Sequence, residues 1–394
     1  MENPILHIDM NNFFASVECL FAPQYREVPM AVAGDPNSRH GIILAKNMPA
    51  KRMGVKTAET IWQAQRKCPN LVLLPPHFER YHEYSEQAKE IYVQYTDQVE
   101  SFGLDECWLD VGGSERLFGT GEQIAQEIRL RIKKELGLTV SVGVSFSKGF
   151  AKLGSDYKKP DAVTVFSREN YRQLVWTQPV ENLLFVGANT KKTLNKFGLH
   201  TIGDIALADR GWLHRTLGKS GEALWFAANG EDDSAVQRID AQEDAKTIGN
   251  SVTIAHDISR EEEIHAVLLS LAEKVAARLR RHHKRCGEIQ ITVRSREFEE
   301  FQRQCAVEPA VCDSQSIFQT ALRLYKKENK KWQIRLLGIR AGKLTDLEEE
   351  QISLFSDTAA RKKRENLEAS VDKVRQKFGD DSVRRAIFKP ENGE

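Results

Sequence analysis

The sequence predicts an α+β protein built from several domains, and three observations lead to this fold class. The 394 residues exceed the size of one ordinary domain. Short apolar strands alternate with amphipathic helices over the first 168 residues. A basic segment later in the chain repeats this mixture of strands and helices. The order of elements in the first part favours a ferredoxin-like sheet.

The N-terminal part begins with PILHID (4–9), which we expect to form a short buried strand that ends in an acid. Residues 10–78 are predicted to mix helix and loop, because MNNFFASVECLF has apolar residues at helical spacing. A helix should then run from Tyr81 to about Gln98. The strand-like segments VESFG and CWLDV follow it.

Three further elements complete this first part. QIAQEIRLRIKKEL (123–136) is a clear amphipathic helix, and TVSVGVSF (139–146) has the alternation of a strand. SKGFAKLGSDYKK (147–159) returns to helix, which Pro160 should end.

The remaining chain divides into a helical part, a mixed part and a tail. Residues 170–238 contain short helices separated by glycine-centred turns, and a polar linker covers 239–246. The tail holds QISLFSD and a final charged helix. Between them we expect strands at 250–255, 287–294, 301–308 and 332–341, and helices at 260–282 and 314–327.

The charge of the chain is unevenly distributed. The net charge is only +1, but residues 247–345 carry 18 Lys and Arg against 12 Asp and Glu, a surplus of +6. A basic module on a nearly neutral chain indicates a polyanionic partner.

Composition also bears on the compartment. The six cysteines form no CxxC pair and no metal-ligand spacing, which indicates free thiols in a reducing cytoplasm. No apolar run approaches the roughly 18–20 residues of a membrane span, and the N-terminus has no basic and apolar leader. We therefore expect a cytoplasmic protein without a membrane segment.

SFGLDECWLDV (101–111) places two adjacent carboxylates, Asp105 and Glu106, inside an apolar run. Successive side chains of a strand face opposite ways, but a hairpin tip with Gly103 can bring both acids to one sheet edge. Asp9, at the end of another apolar strand, is a plausible third member. Three such carboxylates would repel one another, and Mg²⁺ would relieve that repulsion. The alternative is that the pair lies in a solvated turn or caps a helix.

Three ordered segments carry a family resemblance: HIDMNNFFASVE (7–18), GLDECWLDV (103–111) and VSVGVSFSKGFAKLGSDYKKPD (140–161). They resemble the signature segments of Y-family DNA polymerases, specifically of the DNA polymerase IV branch. The similarity runs in register from about residue 4 to 345 and again through the tail. It implies a right-hand polymerase with this domain order: palm 1–10 and 79–168, fingers 11–78, helical thumb 169–238, linker 239–246, little finger 247–345 and tail 346–394.

The resemblance implies template-directed, lesion-bypass DNA synthesis of low fidelity without proofreading. Asp9, Asp105 and Glu106, with the backbone carbonyl of Met10, would hold two Mg²⁺ ions beside the primer end and the nucleotide. Asp110 also matches the motif and is interpreted as structural.

Further residues match the family's nucleotide site. Phe14 matches the aromatic steric gate that rejects ribonucleotides by clash, and Lys159 matches a lysine that contacts the triphosphate. Phe13, beside the gate in the nucleotide-binding set, is interpreted as a core residue.

The fingers segment GIILAKNMPAKRMGVK (41–56) departs from the pattern. Met48 replaces a usual Tyr and Lys51 a usual Arg, which keeps the charge but loses two-pronged hydrogen bonding. We expect altered nucleotide affinity and a narrower range of lesions. Asn11 replaces a commoner Asp, and Gly103 replaces a Ser, a change that we connect only with backbone freedom.

Two segments match the family's DNA-handling parts. FVGANTKKTLNKFGLHTIGDIA (185–206) resembles a helix-hairpin-helix, in which backbone N–H groups near Gly187 would hold a DNA phosphate. Phe185 and Asn189 depart there from the usual small and basic residues, and an ordinary helical hairpin is the alternative. In the little finger, Arg294, Arg296 and Arg340 are the expected backbone contacts.

QISLF (351–355) resembles the peptide by which bacterial polymerases bind the sliding clamp. Gln351 would hydrogen-bond at the rim of a pocket that Leu354 and Phe355 fill. The expected partners are primer-template DNA, deoxynucleoside triphosphates and the clamp, and the protein should be a monomer. Two alternatives are a catalytically inactive, clamp-binding accessory protein and another palm-based enzyme such as a nucleotide cyclase.

Overall fold

The computed structural model describes residues 3–35, 41–241, 245–328, 330–347, 358–379, 382, 383 and 385, with the side chains of the last helix given from residue 363. The chain divides into two compact units, Met1–Gln242 and Glu243–Glu394. This division falls inside the segment where the sequence predicts a linker. No described helix combines the length and the apolar character that a membrane span needs.

The described part of the first unit contains eight strands, numbered in chain order, in two sheets. A five-stranded sheet has the order β5-β6-β1-β7-β8, and a three-stranded sheet has the order β3-β2-β4. The strands are β1 (Ile5–Met10), β2 (Met30–Ala33), β3 (Ile43–Lys46), β4 (Val72–Leu74), β5 (Val99–Ser101), β6 (Glu106–Asp110), β7 (Val140–Ser145) and β8 (Val163–Val165).

Helices surround these sheets. In the described part of the first unit they are α1 (Phe13–Phe21), α2 (Met48–Arg52), α3 (Ile61–Lys67), α4 (Phe78–Tyr92), α5 (Glu115–Phe118), α6 (Gly121–Arg131), α7 (Lys148–Tyr157), α8 (Tyr171–Leu174), α9 (Ala188–Lys196), α10 (Ile202–Leu207), α11 (Arg210–Leu217) and α12 (Lys219–Asn229).

The two faces of β1 have different surroundings, since alternate residues point to opposite sides of a strand. Leu6, Ile8 and Met10 belong to the main core, which α1, α4 and α6 help to build. His7 and Asp9 point to the other face, where they contact side chains of α7. The strand is buried throughout, so both faces are covered.

A close approach between α7 and β7 sets this geometry. A Cβ atom on Gly143 of β7 would lie 1.9 Å from the carbonyl oxygen of Ala151 in α7. Only glycine allows the helix to lie this near the sheet. One consequence is that Lys152, the next residue of the helix, reaches Asp9 on β1.

The second unit contains a four-stranded antiparallel sheet in the order β11-β10-β12-β9, with the strands numbered onward in chain order. Ile289, Ile291 and Val293 face the helices and are fully buried. The alternate residues Gln290, Thr292 and Arg294 lie on the opposite face of the sheet. The elements are β9 (Ile248–Ile258), α13 (Glu261–Arg281), β10 (Lys284–Ser295), β11 (Glu300–Val311), α14 (Ser314–Glu328), β12 (Ile334–Asp346) and α15 (Thr358–Phe378).

The structure confirms the α+β architecture but corrects several elements. The prediction of only helix and loop for 10–78 is wrong, because β2, β3 and β4 lie there. Strands of three or four residues are too short to show a period of two.

Element ends differ as well. The helix expected from Tyr81 to about Gln98 runs from Phe78 to Tyr92. The turn that follows buries the ring of Tyr95. Helix α7 ends at Tyr157, ahead of Pro160, which disfavours helical backbone in the residue before it. Strands β9, β10 and β11 exceed their expected ranges at both ends, whereas β12 begins two residues later than expected, at Ile334, and runs on to Asp346.

Candidate active site

Strand pairing brings the three predicted acids together. Asp9 on β1 lies directly opposite Glu106 on β6, so both side chains are on the face that α7 covers. The backbone N–H of Met10 donates to the carbonyl oxygen of Asp105 at 3.0 Å. Residues almost one hundred positions apart in the chain therefore meet at one end of two strands.

The hairpin between β5 and β6 carries Asp105 and Glu106, as the sequence predicts. Ser101 pairs with Cys107, and the turn between them contains Gly103 with a φ of +133°. Residues with a Cβ atom rarely adopt such a positive φ. This accounts for a glycine at position 103, where the resemblance described above leads one to expect Ser. Asp105 precedes the first residue of β6. Its side chain therefore need not follow the alternating directions of the strand's side chains, whereas that of Glu106 does.

Two lysine ammonium groups contact these acids. Lys159 Nζ lies 2.6 Å from Asp9 Oδ2, and Lys152 Nζ lies 3.3 Å from the same oxygen. Lys152 also lies 2.9 Å from Glu106 Oε2. The resemblance predicts a triphosphate contact for Lys159, whereas here its ammonium group binds Asp9 and Asp156. The sequence analysis did not identify Lys152, which lies on α7 four residues before Asp156.

The carboxyl groups have strongly different proton affinities. Burial raises the pKa of Asp9 to about 6, although the charges of Lys159 and Lys152 oppose the shift. Burial and the neighbouring Glu106 charge also raise the pKa of Asp105. Burial disfavours the Glu106 carboxylate, but the close approach of His7 and the charge of Lys152 outweigh it and lower its pKa to about 2. Glu106 thus keeps its charge readily, while burial makes the ionised forms of Asp9 and Asp105 less favourable.

His7 is a second residue that the sequence reasoning missed. Its side chain is fully buried, Nε2 lies 3.3 Å from Glu106 Oε2, and Nδ1 lies 2.9 Å from Ser155 Oγ. The Trp108 ring packs against the imidazole with a centroid distance of 5.1 Å. The spacing of two residues from Asp9 along a strand was the available signal, because it puts both side chains on one face.

The acids fit a divalent cation by their chemistry. Among the described residues, no three side chains of His, Cys, Asp or Glu form a ready metal-binding cluster. The lysines supply positive charge to the carboxylates instead. Asp9, Asp105 and Glu106 offer only oxygen ligands, which Mg²⁺ prefers, and the raised pKa values of Asp9 and Asp105 show that added positive charge would stabilise their ionised forms.

Asn11 and Asn12 connect β1 to α1, and Asn12 is the N-cap of this helix. The Asn11 amide donates to Thr139 Oγ1 at 3.2 Å and accepts from Ser141 Oγ at 2.9 Å, which fits an amide better than the Asp it replaces. Phe13 is buried in the main core, in agreement with its interpretation. Phe14 is only half-buried, so part of its ring remains accessible.

The fingers residues Met48 and Lys51 lie on α2. Asn47 caps this helix and also binds the carbonyl oxygens of Tyr25 and Val28. Lys51 is exposed and makes no ion pair with the described residues. Burial, followed by the Lys51 charge, lowers the pKa of the nearby Lys46.

The expected helix-hairpin-helix contains α9 and α10, with Gly187 at the N-cap of α9. Gly187 has an ordinary φ of −78°, and a Cβ atom there would meet no heavy atom within 4 Å. The left-handed residue of this turn is Phe185, with a φ of +69°. Its side chain is 80% exposed.

Two of the three expected DNA-contacting arginines lie on the exposed face of the second unit's sheet. Arg340 is opposite Gln290 and hydrogen-bonds to it. Arg294 is four residues after Gln290 on β10 and therefore on the same face, where Glu300 binds it at 2.6 Å. Arg296 comes after the end of β10 and is exposed. The clamp-peptide residues Gln351, Leu354 and Phe355 lie outside the described residues.

Comparison with known proteins identifies the family. The impB/mucB/samB family matches residues 8–156, and the C-terminal domain of the same family matches residues 245–354. DNA polymerase IV of Acetivibrio thermocellus is 48% identical over 398 residues, with 100% of this chain and 99% of the relative covered. DNA polymerase IV 1 of Bacillus subtilis is 36% identical and covers 97% of this chain and 92% of its own.

A solved structure shares the fold. A Y-family DNA polymerase chimera of Dbh and Dpo4 superposes with a TM-score of 0.77, covering 87% of this chain and 99% of its own, at 20% identity. Full-length sequence identity of this degree, the two family matches and the right-hand polymerase fold agree with one another. The chain therefore belongs to the Y-family DNA polymerases, in their DNA polymerase IV branch.

Proposed function

We propose that the protein is a template-directed DNA polymerase that adds deoxynucleotides to a primer 3′ end and copies past damaged bases. The pairing of Asp9 with Glu106, with Asp105 one residue away, is the observation that carries this proposal. Carboxylates brought to one place from separate strands raise the cost of ionising one another, and a bound cation would lower that cost.

Y-family DNA polymerases generally depend on divalent metal ions. We assign Mg²⁺ to this chain, held by the carboxylates of Asp9, Asp105 and Glu106 and the carbonyl of Met10. When bound, the ions make the primer hydroxyl easier to deprotonate and stabilise negative charge on the transferred phosphate.

The other residues of the site position the substrates. Lys159 and Lys152 supply positive charge beside the acids, and we assign Lys159, now bound to Asp9, to contact with the triphosphate. His7 orients Glu106 through Nε2. Phe14 stands beside the sugar and excludes a 2′-hydroxyl. Lys51, exposed on α2 and a point charge instead of a planar guanidinium, contacts the phosphates less specifically than Arg would.

Primer extension with Mg²⁺ on undamaged and damaged templates tests the polymerase assignment. The double change Asp105→Ala, Glu106→Ala should abolish extension. Asp110→Asn is the matched control, because Asp110 is on the same strand but accepts a hydrogen bond from Gly112 N at 2.9 Å, a bond that an amide oxygen keeps. Extension that survives the double change would contradict the proposal.

The domain boundaries given in the sequence analysis are part of the proposal. The five-stranded sheet with α4, α6 and α7 serves as the palm, and the three-stranded sheet as part of the fingers. Helices α8 to α12 form the thumb, which holds a primer or template phosphate near Gly187. Residues 247–345 of the second unit form the little finger, with the exposed face of its sheet toward the duplex.

We further propose that QISLF (351–355) recruits the enzyme to the sliding clamp. The peptide combines an apolar pair with a glutamine, and it stands between an acidic stretch and the helix α15. Deleting 351–355 should remove clamp-stimulated synthesis and spare basal extension. Equal loss of both activities would reject this assignment.

The competing hypothesis is an inactive clamp-binding accessory protein. It requires no convergence of acids, whereas Asp9, Asp105 and Glu106 are all present and adjacent in this chain. The same double change decides between the two, because an accessory protein has no extension activity to lose.

A further inference from the structure

Trp62 presents a large aromatic ring to solvent on the outer side of α3. The residue is 63% exposed, although tryptophan is usually well covered in folded proteins. On the same helix, Ile61 and Ala64 are buried in a small core that they share with strands β2 and β3 and with helix α2. Helix α3 is therefore held by one face, and Trp62 lies outside it. Packing within the fold does not require a tryptophan at this position.

A cation accompanies this ring. The guanidinium carbon of Arg66 lies 4.9 Å from the centroid of the Trp62 ring, four residues further along the helix. Arg66 is itself exposed, and it makes no ion pair with another residue that the structure describes. An open aromatic ring beside a cation can bind a nucleic-acid base by stacking and the adjoining phosphate by charge.

The surrounding stretch of chain is strongly basic. Residues 41–71 carry six Lys and Arg against a single acid, a surplus of +5. That acid, Glu59, is bound by Lys67. Four exposed cations of this stretch make no ion pair within the described part of the chain: Lys51, Arg52, Lys56 and Arg66. A partner that neutralises them must carry several negative charges.

The segments that carry these cations and Trp62 pack on one another. The turn that follows α2 lies against α3, because Lys67 Nζ donates to the carbonyl oxygen of Gly54 at 3.1 Å. Val55, the next residue, is buried in the same core as Ile61. We call the exposed side of these two segments the Trp62 surface, which consists of Arg52, Lys56, Trp62 and Arg66.

We propose that the Trp62 surface binds the single-stranded template ahead of the primer end, with an unpaired base stacked on Trp62. The inference rests on the proposed polymerase function, in which the strand still to be copied is unpaired. Bases of such a strand stack on aromatic side chains, while basic side chains follow its phosphates. Duplex DNA offers the same phosphates, but its bases are already stacked on one another. The exposed ring therefore favours unpaired DNA.

Binding of two primer-templates tests this proposal. One has a template overhang of a single nucleotide, and the other has an overhang of about ten, which spans a typical single-strand site. Fluorescence anisotropy without nucleotide should show that the native protein binds the longer overhang more tightly. Trp62→Ala should lower that affinity about tenfold, the effect of losing one stacked base, and should leave the affinity for the short overhang unchanged.

Phe21→Ala is the matched control. Phe21 is 53% exposed, and the guanidinium carbon of Arg80 lies 4.2 Å from its ring centroid, so this pair repeats the chemistry of Trp62 and Arg66 on other helices. Arg80 is already paired with Glu18, and Phe21 lies outside the basic stretch. This change should leave both affinities at the native value.

A salt series and tryptophan fluorescence give two independent measurements. Arg66→Ala should reduce the slope of log affinity against log salt by about 0.7, the value for one single-strand phosphate, with the longer overhang only. A base stacked on Trp62 should quench its fluorescence. The longer overhang should therefore quench the native protein more than it quenches Trp62→Phe, which lacks this indole ring.

Three results would overturn the inference. The first is a native protein that binds both overhangs equally well. The second is a Trp62→Ala protein with native affinity for the longer overhang, as expected if Trp62 meets a protein partner. The third is an equal loss for both DNA molecules, which would assign the ring to the fold or to the duplex. None of these results bears on primer extension, so the proposed function fails separately, if the native protein extends no primer.

Discussion

At the scale of single residues, the backbone of Phe185 is the clearest source of strain. Its φ of +69° is a left-handed conformation that costs a residue with a Cβ atom about 1 kcal/mol or more. Because the ring is 80% exposed, little burial repays this cost. We expect Phe185→Gly to raise the free energy of unfolding by about 1 kcal/mol, as measured by denaturant titration.

The matched control for this change is Phe197→Gly. Phe197 has a φ of −100° and packs edge-on against Trp212 at 5.1 Å, so glycine there removes a contact without relieving strain. This variant should lower the free energy of unfolding. If both glycine variants shift stability in the same direction, backbone strain at Phe185 is not the cause.

A second residue-scale prediction concerns Asp161, which lies 2.8 Å from both Arg129 and Lys133. Burial disfavours its charge, but hydrogen bonds from Lys133 and Arg129 outweigh this and lower its pKa. A lowered pKa means that the carboxylate stabilises the fold above its ordinary pKa and loses this contribution as pH falls. Asp161→Asn should cost up to about 1 kcal/mol at neutral pH, and the difference should shrink toward about pH 3.

Unfolding free energies of both proteins across that pH range check this expectation. Asparagine also tolerates the positive φ of residue 161, so the change isolates the charge. A difference that stays constant with pH would assign it to packing or hydrogen-bond geometry instead.

Single residues also show what the sequence could reveal about the site. Asp9, Asp105 and Glu106 drew attention because they are acids at or inside apolar runs, and the family resemblance of the segments around them then implied their role. The sequence analysis did not identify His7 and Lys152, because neither residue type is unusual in its sequence neighbourhood. His7 lies on a buried strand, where a structural histidine is common, and Lys152 lies on an amphipathic helix. Their roles arise only when β1, β6 and α7 meet.

At the scale of elements, the last helix is held by ion pairs instead of an apolar seam. Arg285 binds Glu365 through two hydrogen bonds of 2.6 and 2.8 Å. Glu368 accepts from both Ser314 N and Ser314 Oγ at the start of α14, and it also contacts Arg280 at 2.5 Å. A carboxylate at a helix N-terminus satisfies N–H groups that otherwise lack a partner. The charged face of α15 therefore packs on the rest of the second unit, at α13, β10 and the start of α14.

We predict that Glu368→Ala destabilises the second unit by about 2 kcal/mol or more, because it leaves the Ser314 N–H and the buried Arg280 guanidinium short of an acceptor. Asn366→Ala, at an exposed position of the same helix, should have little effect. Thermal unfolding of the two variants gives the comparison. Equal stability of both would mean that α15 contributes nothing through this contact.

Long helices and strands are easier to predict from the sequence than short ones. Helices α6, α13 and α14 are long and periodic, so their sequences define them well. Strands β2 to β4 are too short for a pattern, and MAVA could equally continue a helix. The end of α4 depends on burial of the Tyr95 ring, which is a tertiary contact. Sequence alone has no access to such a contact.

At the scale of the whole molecule, positive charge is concentrated in one stretch of the chain. The surplus of +6 over residues 247–345 stands on a chain with a net charge of +1. The sequence predicts this surplus but not its arrangement. Pairing of β10 with β11 and β12 decides that Arg294 is neutralised by Glu300, while Arg340 meets the neutral Gln290.

This arrangement predicts how DNA binding responds to salt. The affinity for primer-template DNA should fall steeply as salt rises, because each phosphate contact releases counterions. Arg340→Ala should reduce the slope of log affinity against log salt by about one, whereas Arg294→Ala should reduce it less because Glu300 already balances that charge. Fluorescence anisotropy of a labelled primer-template over a salt series measures both slopes.

Lys326→Ala is the control for this series. Lys326 is on α14, on the helical side of the same unit, and pairs with Glu261. Its removal alters the net charge of the protein as much as the arginine variants do, so a general charge effect would lower all three slopes equally. A selective loss for Arg340→Ala would place the DNA backbone on the exposed face of the sheet, and equal slopes for this variant and the native protein would remove Arg340 from the interface.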